Sequence, residues 1–153
     1  MMENVPSWSI KSVLVSVSDL DRSSNFYQDV MNLHEVLRED QIVVLGDASG
    51  PFTLFLREAR HGAVQHSGQQ ALGARSLVYD VGSIAELDRV DAHLRALGTF
   101  RDRRSLDETE ATQFLHGHDP DRLPLLFVAH EPGRVPSIED FRHALATMYV
   151  LDA

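Results

Sequence analysis

The stretch Ser12–Leu33, which reads SVLVSVSDLDRSSNFYQDVMNL, decides the fold. From Ser12 to Ser18, large apolar residues alternate with other residues, as in a strand that has one buried face. Asp19 or Ser18 then offers an oxygen that can cap a helix, and apolar residues recur at helical spacing as far as Leu33. The stretch therefore predicts a β-strand followed by an amphipathic α-helix.

The same plan recurs further along the chain, at Arg75–Gly98, which reads RSLVYDVGSIAELDRVDAHLRALG. Ser83 and Glu86 have the spacing of a capping box, and a helical stripe of apolar residues then continues until Gly98. The strand face, the cap and the stripe match those of the first stretch at one constant offset. This predicts a duplicated β-α-β-β-β unit in which each helix covers one face of its own sheet, leaving free faces that could enclose a cleft.

The segments that follow each predicted helix complete the two units. Short apolar runs bounded by turn residues predict four further strands, at Glu39–Leu45, Phe52–Leu56, Thr112–His116 and Leu123–Ala129. Two segments poor in large apolar residues are predicted as connections: a linker at Arg60–Gly73 and a charged connector at Arg101–Glu110. A last helix, capped by Ser137, lies outside the duplicated plan.

We therefore predict an α+β fold of two tandem βαβββ modules that form a cupped mixed sheet with the helices outside, plus a C-terminal helix. Residues 1–153 are predicted to form a single domain. Module one spans about 10–58, module two about 74–131 and the C-terminal helix about 137–151.

The charge and composition narrow the class of function. The chain has 14 basic and 23 acidic residues, and its net charge of −9 repels phosphate backbones and anionic membranes. Nucleic acid and membranes are therefore not expected as partners. The sequence has no cysteine, which excludes a disulfide, a thiolate zinc site and a thiol nucleophile. Because no signal-peptide pattern and no membrane-spanning apolar run is present, a cytoplasmic location is expected.

The residues around the first predicted helix resemble a known family signature. They form a strand followed by a D-L-x-x-S-x-x-F-Y run, made here by Asp19, Leu20, Ser23, Phe26 and Tyr27. Later, Asp119-Pro120-Asp121 precedes a strand and is similar to the family's D-P-D-G turn, with Arg122 in place of the glycine. Over about 10–131 the chain resembles the vicinal oxygen chelate superfamily, which includes glyoxalase I, extradiol dioxygenases and bleomycin-resistance proteins.

In metal-using members of that superfamily, each module supplies ligands from its first and last strands. The resemblance places those positions at Ser12, Thr53, Ser76 and Leu126. Hydroxyl groups that stay protonated are weak ligands and leucine donates nothing, so we expect neither the usual metal centre nor a cofactor. His116 and His118 lie two residues apart and could face one way in a strand, but a solvated turn at a strand end is the alternative.

Alternation along the strands predicts a mainly apolar lining on the faces that point away from the helices. The residues expected to bind a ligand there are Ser12, Leu14, Thr53, Phe55, Arg57, Ser76, Val78, Asp80, Leu126 and Val128. The alternative is that these side chains pack between the two modules. Arg57 could pair with an acidic group of a ligand, or form a salt bridge with Glu58 or Asp80.

No catalytic residue can be assigned from the sequence. Asp80 and His130 are the candidates for acid–base chemistry, but the sequence shows no pairing between them. We expect a metal-free protein that binds a small, partly apolar organic molecule, as in drug or metabolite sequestration, and that forms a homodimer. The alternative is a lyase, isomerase or dioxygenase-like enzyme of the same superfamily with an unrecognised metal site, possible participants in which are His116, His118 and His130.

Overall fold

The computed structural model describes residues 10–47, 52–60, 62–63, 76–105 and 110–134, together with 137–140, 142 and 145. Within the chain, residues 1–61 and 62–153 form two compact units. Each unit contains one βαβββ module, so the duplication predicted from the sequence is confirmed.

Module one is a four-stranded mixed sheet with one helix. Its elements are β1 (Ser12–Val17), α1 (Leu20–Met31), β2 (His34–Glu39), β3 (Ile42–Gly46) and β4 (Thr53–Glu58). The strand order is β1-β4-β3-β2, in which β1 and β4 are parallel and the other pairs are antiparallel. The parallel pair is possible because α1 and two strands separate β1 from β4 in the chain.

The helix α1 has defined caps and one covered face. The side chain of Asp19 accepts a hydrogen bond from the Arg22 amide at 3.0 Å, and Asn32 ends the helix in the left-handed conformation. Phe26 and Val30 of α1 are buried, and the helix packs on β3 and β4. Arg38 of β2 pairs with Asp21 of α1 at 3.0 Å, which identifies the side of the sheet that the helix covers.

Module two repeats this arrangement. Its elements are β5 (Leu77–Gly82), α2 (Ile84–Leu97), β6 (Phe100–Ser105), β7 (Thr112–His118) and β8 (Pro124–His130). The strand order is β5-β8-β7-β6, again with the first pair parallel and the others antiparallel. The fold is therefore α+β with two modules of the same topology.

A close approach between α2 and β7 fixes the covered face of module two. A Cβ atom added at Gly117 would lie 2.8 Å from Leu94 Cδ1 and 2.8 Å from the carbonyl oxygen of Thr99. Leu87, Val90 and Leu94 of the helix have 1% or less of their surface exposed. The side chains that alternate with Gly117 along β7 therefore point to the open face.

Two strands that the sequence analysis missed are the edge strands β2 and β6. The segment predicted as the charged connector Arg101–Glu110 begins as β6, so that prediction is wrong for its first half. Its Arg103 bonds to Asp91 of α2 at 3.0 Å, pairs with Asp88 at 2.8 Å and donates to Gln113 of β7 at 2.7 Å. Charged groups here hold the strand to the helix where an apolar stripe would otherwise do so.

The other strand predictions need smaller corrections. The strand predicted at Glu39–Leu45 is wrong at its start, because Asp40 and Gln41 form the turn between β2 and β3. The strand predicted at Thr112–His116 continues to His118. Arg122, which replaces the glycine of the family's turn, still has a left-handed backbone with φ of 67°.

The last helix begins where the sequence predicts. Ser137 and Asp140 form a reciprocal pair in which each backbone amide donates to the other's side chain, at 2.8 and 3.1 Å. Ile138 is 90% exposed. The rest of the predicted helix lies mostly outside the described residues, as does most of the predicted linker. In the described part of the chain, no helix is long and apolar enough to cross a membrane.

Candidate ligand-binding site

The face of module one opposite α1 carries three rows of residues that are partners across the sheet. From β1 to the opposite edge, they are Ser12–Thr53–Gly46–His34, Leu14–Phe55–Val44–Leu37 and Ser16–Arg57–Ile42–Glu39. Side chains of partnered residues lie on the same side of a sheet, so these rows define the open face of module one.

An apolar band runs across the middle of the open face of module one, between two more polar rows. Leu14 is 62% exposed and Leu37 is 49% exposed, whereas Val44 between them is buried. Phe55 is half-buried in the same row. Ser12 and Ser16, which flank Leu14 on β1, are both exposed. This face therefore presents apolar surface to solvent with hydroxyl groups on either side.

The face of module two opposite α2 has a different character. Its central rows are Val78–Leu126–His116–Asp102 and Asp80–Val128–Phe114–Arg104. Leu126 and Val128 have no exposed surface and Phe114 has 1%, while Val78 on the edge strand is 41% exposed. The centre of this face is therefore buried, and its exposed side chains lie on the edge strands β5 and β6.

The structure brings Asp80 and His130 together, which the sequence analysis named separately. His130 Nε2 lies 3.5 Å from Asp80 Oδ2. The other oxygen of Asp80 accepts a hydrogen bond from the Gly82 amide at 2.8 Å, and His130 Nδ1 lies 3.3 Å from the carbonyl oxygen of Glu131. Both ring nitrogens face oxygen atoms, so this arrangement leaves neither directed at a ligand as a general base requires.

His116 and His118 both lie within β7 and point to the open face of module two. His116 is buried, with 3% of its surface exposed, so the solvated turn considered as the alternative is wrong for it. Burial, together with the positive charge of Arg101, lowers the pKa of His116 to about 4. His118 Nδ1 lies 2.8 Å from the carbonyl oxygen of Asp119. His118 is therefore held by the turn that follows it, while His116 is buried within the strand.

The four positions where metal-using relatives carry ligands do not fit a divalent ion. Ser12 and Thr53 are direct partners on β1 and β4, whereas Leu126 is partnered with Val78, two residues along from Ser76. The two positions in module two, Ser76 and Leu126, carry a hydroxyl group and an alkyl group. In the part of the chain that the structure describes, no group of three His, Cys, Asp or Glu side chains could hold a metal. The side chains at these four positions therefore do not provide the ligands of the family's metal centre.

Sequence reasoning missed the contribution of β2 to the open face of module one. Leu37 and Glu39 extend two of the rows, and Val36 is 60% exposed beside Gly46. The signal was weak because β2 reads HEVLRE, and all six of its residues are exposed. Alternation alone does not separate such an edge strand from a connecting segment.

The order of elements defines the class of protein. Two βαβββ modules, each with its helix on one face and an open face on the other, are the arrangement of the vicinal oxygen chelate fold. A model of the Glyoxalase/Bleomycin resistance protein/Dioxygenase superfamily matches residues 9–127. The chain belongs to this superfamily.

Solved structures of the same fold come from proteins with several different activities. The chain is similar to a glyoxylase/bleomycin resistance protein/dioxygenase domain from Frankia sp. EAN1pec, at 23% identity and a TM-score of 0.68, covering 82% of this chain and 100% of that one. It is similar to a lactoylglutathione lyase from Agrobacterium tumefaciens, at 21% identity and a TM-score of 0.60, covering 82% and 96%.

A third similar structure is a genomically encoded fosfomycin resistance protein from Listeria monocytogenes, at 15% identity and a TM-score of 0.60, covering 88% of this chain and 98% of that one. A comparison with curated proteins found no significant match. At these identities the likenesses show the shared fold, and the activity has to be argued from the residues.

Proposed function

We propose that the chain binds a small, partly apolar organic molecule on the open face of module one, without a metal, as a sequestration protein of the bleomycin-resistance type. The observation that carries this proposal is the exposed apolar row that includes Leu14 and Phe55. Hydroxyl groups flank this row at Ser12, Ser16 and Thr53. Apolar area with a few polar groups placed around it is the usual composition of a small-molecule site.

The exposure of Leu14 supports a binding role over a packing role. A leucine with 62% of its surface in water gives up most of the free energy that burial would supply. Its two neighbours on the other side of β1, Val13 and Val15, are less exposed, since both are half-buried. Burying Leu14 under a ligand would recover about 1 kcal/mol.

The proposed site lies on the open face of module one alone. In module two, Ser76, Val78 and Asp80 lie at the β5 edge, and their contact with a ligand stays a prediction from the sequence. Leu126 and Val128 have no surface available. We therefore centre the proposal on Ser12, Leu14, Thr53, Phe55 and Arg57 of module one.

A pair of leucine variants tests the proposed site. With 2-naphthamide as a neutral aromatic probe, Leu14→Ser should weaken binding about 5-fold, because apolar contact worth about 1 kcal/mol is lost. The matched control is Leu97→Ser. Leu97 is 47% exposed near the end of α2 and lies on neither sheet. Fluorescence titration measures both dissociation constants. Equal weakening by the two variants, or no effect of Leu14→Ser, would contradict the proposal.

The second candidate function is an enzyme, a lyase, isomerase or dioxygenase-like protein that uses a metal site other than the family's. It is favoured by the likeness to a lactoylglutathione lyase, and opposed by the hydroxyl and alkyl groups at the family's ligand positions. Elemental analysis of the purified protein separates the two candidates. One bound divalent ion per chain would favour the enzyme over the binding protein.

We also propose that the chain forms a homodimer, and that its partner is a small organic molecule and not nucleic acid or a membrane. The net charge of −9 opposes binding to nucleic acid and to anionic membranes. The exposed Ile138 of the C-terminal helix supports the homodimer, because a second copy of the chain could cover this side chain. Sedimentation equilibrium measures the oligomeric state, and a monomer at micromolar concentration would contradict the dimer.

A further inference from the structure

We propose that the ligand is an organic anion with a single acidic group, such as a carboxylate, attached to an apolar body, and that Arg57 binds this group. This inference rests on the proposed function, because it names the chemical class of the molecule that the open face of module one takes.

The position of Arg57 on the open face is the first support. It lies on β4 as the partner of Ser16 on β1 and of Ile42 on β3. Phe55 is two residues earlier on the same strand and the same face, about 7 Å away along the strand. The guanidinium of Arg57 and the ring of Phe55 are thus separated by about the length of a small aromatic acid.

The lack of a carboxylate partner is the second support. Arg57 is exposed, and it forms no ion pair with any residue that the structure describes. The two partners considered from the sequence are otherwise placed: Glu58 alternates to the other side of β4, and Asp80 faces His130. By contrast, Arg38 and Arg103 on the helix-covered faces are each held by two carboxylates. The donors of Arg57 are therefore available to a ligand.

The surroundings of Arg57 restrict the charge of the anion. An open depression of about 660 Å³ is lined by Glu39, Asp40, Gln41, Ile42 and Arg57. Its two carboxylates and the net charge of −9 oppose a multiply charged anion such as phosphate. A monoanion whose apolar part lies on the central row meets the guanidinium with the least repulsion.

Two probes that differ only in charge test this inference. The dissociation constants of 2-naphthoate and 2-naphthamide are measured by titration at low salt, where screening is weak. The natural chain should bind the naphthoate about 5-fold more tightly than the amide, because the exposed guanidinium adds a charged hydrogen bond. Arg57→Gln should abolish this preference, so that the acid and the amide bind with equal affinity.

The control variant is Arg60→Gln, which removes the same charge three residues later, beyond the end of β4. Arg60 is exposed and should leave the preference intact. The inference is overturned if the natural chain shows no preference, if Arg57→Gln retains it, or if Arg60→Gln removes it equally. Binding of the amide without a preference for the acid would overturn only this inference. Failure of both probes to bind would overturn the proposed function as well.

Discussion

At the scale of single residues, His116 couples the stability of module two to pH. Its pKa in the folded chain is lowered to about 4 by burial and by Arg101, against about 6.5 in the unfolded chain. Between these values the unfolded chain binds the proton more readily, so stability is fully present above pH 6.5 and is lost as the pH falls toward 4. From pH 7 to pH 4.5 this histidine should cost about 2 kcal/mol of stability.

Urea unfolding of His116→Gln at the two pH values measures this contribution. The variant should lose about 2 kcal/mol less than the natural chain over the same interval, because its amide does not titrate. His34→Gln, which replaces an exposed histidine at the start of β2, should keep the full dependence. A dependence in His116→Gln that equals that of the natural chain would show that other groups cause it.

Residues whose orientation depends on alternation could be predicted from the sequence, and residues whose partners come from distant strands could not. Ser12, Leu14 and Ser16 lie on the open face as the pattern predicts. The pairing of Asp80 with His130 depends on the offset between β5 and β8, which includes a register shift after Asp80. No local pattern specifies that offset.

At the scale of elements, the contact between α2 and β7 depends on a residue without a side chain at position 117. An alanine there would place its Cβ 2.8 Å from a backbone oxygen of Thr99, which cannot move without shifting the segment after α2. We therefore expect Gly117→Ala to destabilise the chain by about 2 kcal/mol. Thermal or urea unfolding measures the change.

Gly46→Ala is the matched control for this substitution. Gly46 also lies in a strand, but the nearest atoms to an added Cβ are side-chain carbons at 3.6 Å or more, which is ordinary contact. Its effect should stay within about 0.5 kcal/mol. If Gly117→Ala lowered the free energy of unfolding no more than Gly46→Ala does, that result would contradict the close packing of α2 on β7.

The elements that the sequence predicted are those with an apolar stripe, and the elements it missed are the edge strands. Both helices, with their caps at Asp19 and Ser83, follow from apolar periodicity and local hydrogen bonding. Strand β6 reads FRDRRS and is held to α2 through Arg103. Because charged pairs supply this contact, the segment lacks the alternation by which strands are recognised.

At the scale of the whole molecule, the duplication gives two modules of the same topology with different open faces. The open face of module one exposes Leu14, whereas that of module two buries Leu126 and Val128. The family's ligand positions hold hydroxyl and alkyl groups in both modules. The fold has been retained in each module, while the residues that would bind a metal are absent from the family's positions.

The central claim is that the open face of module one binds an apolar organic molecule without a metal. The measurement that tests it most directly is an NMR titration of the backbone amides with 2-naphthamide. The titration is carried out once in EDTA and once with added Mg²⁺ or Zn²⁺. We expect saturable shifts confined to the four strands of module one, β1 to β4, that are the same in both conditions. Shifts that appear only with the metal ion, or that map to the helices, would contradict it.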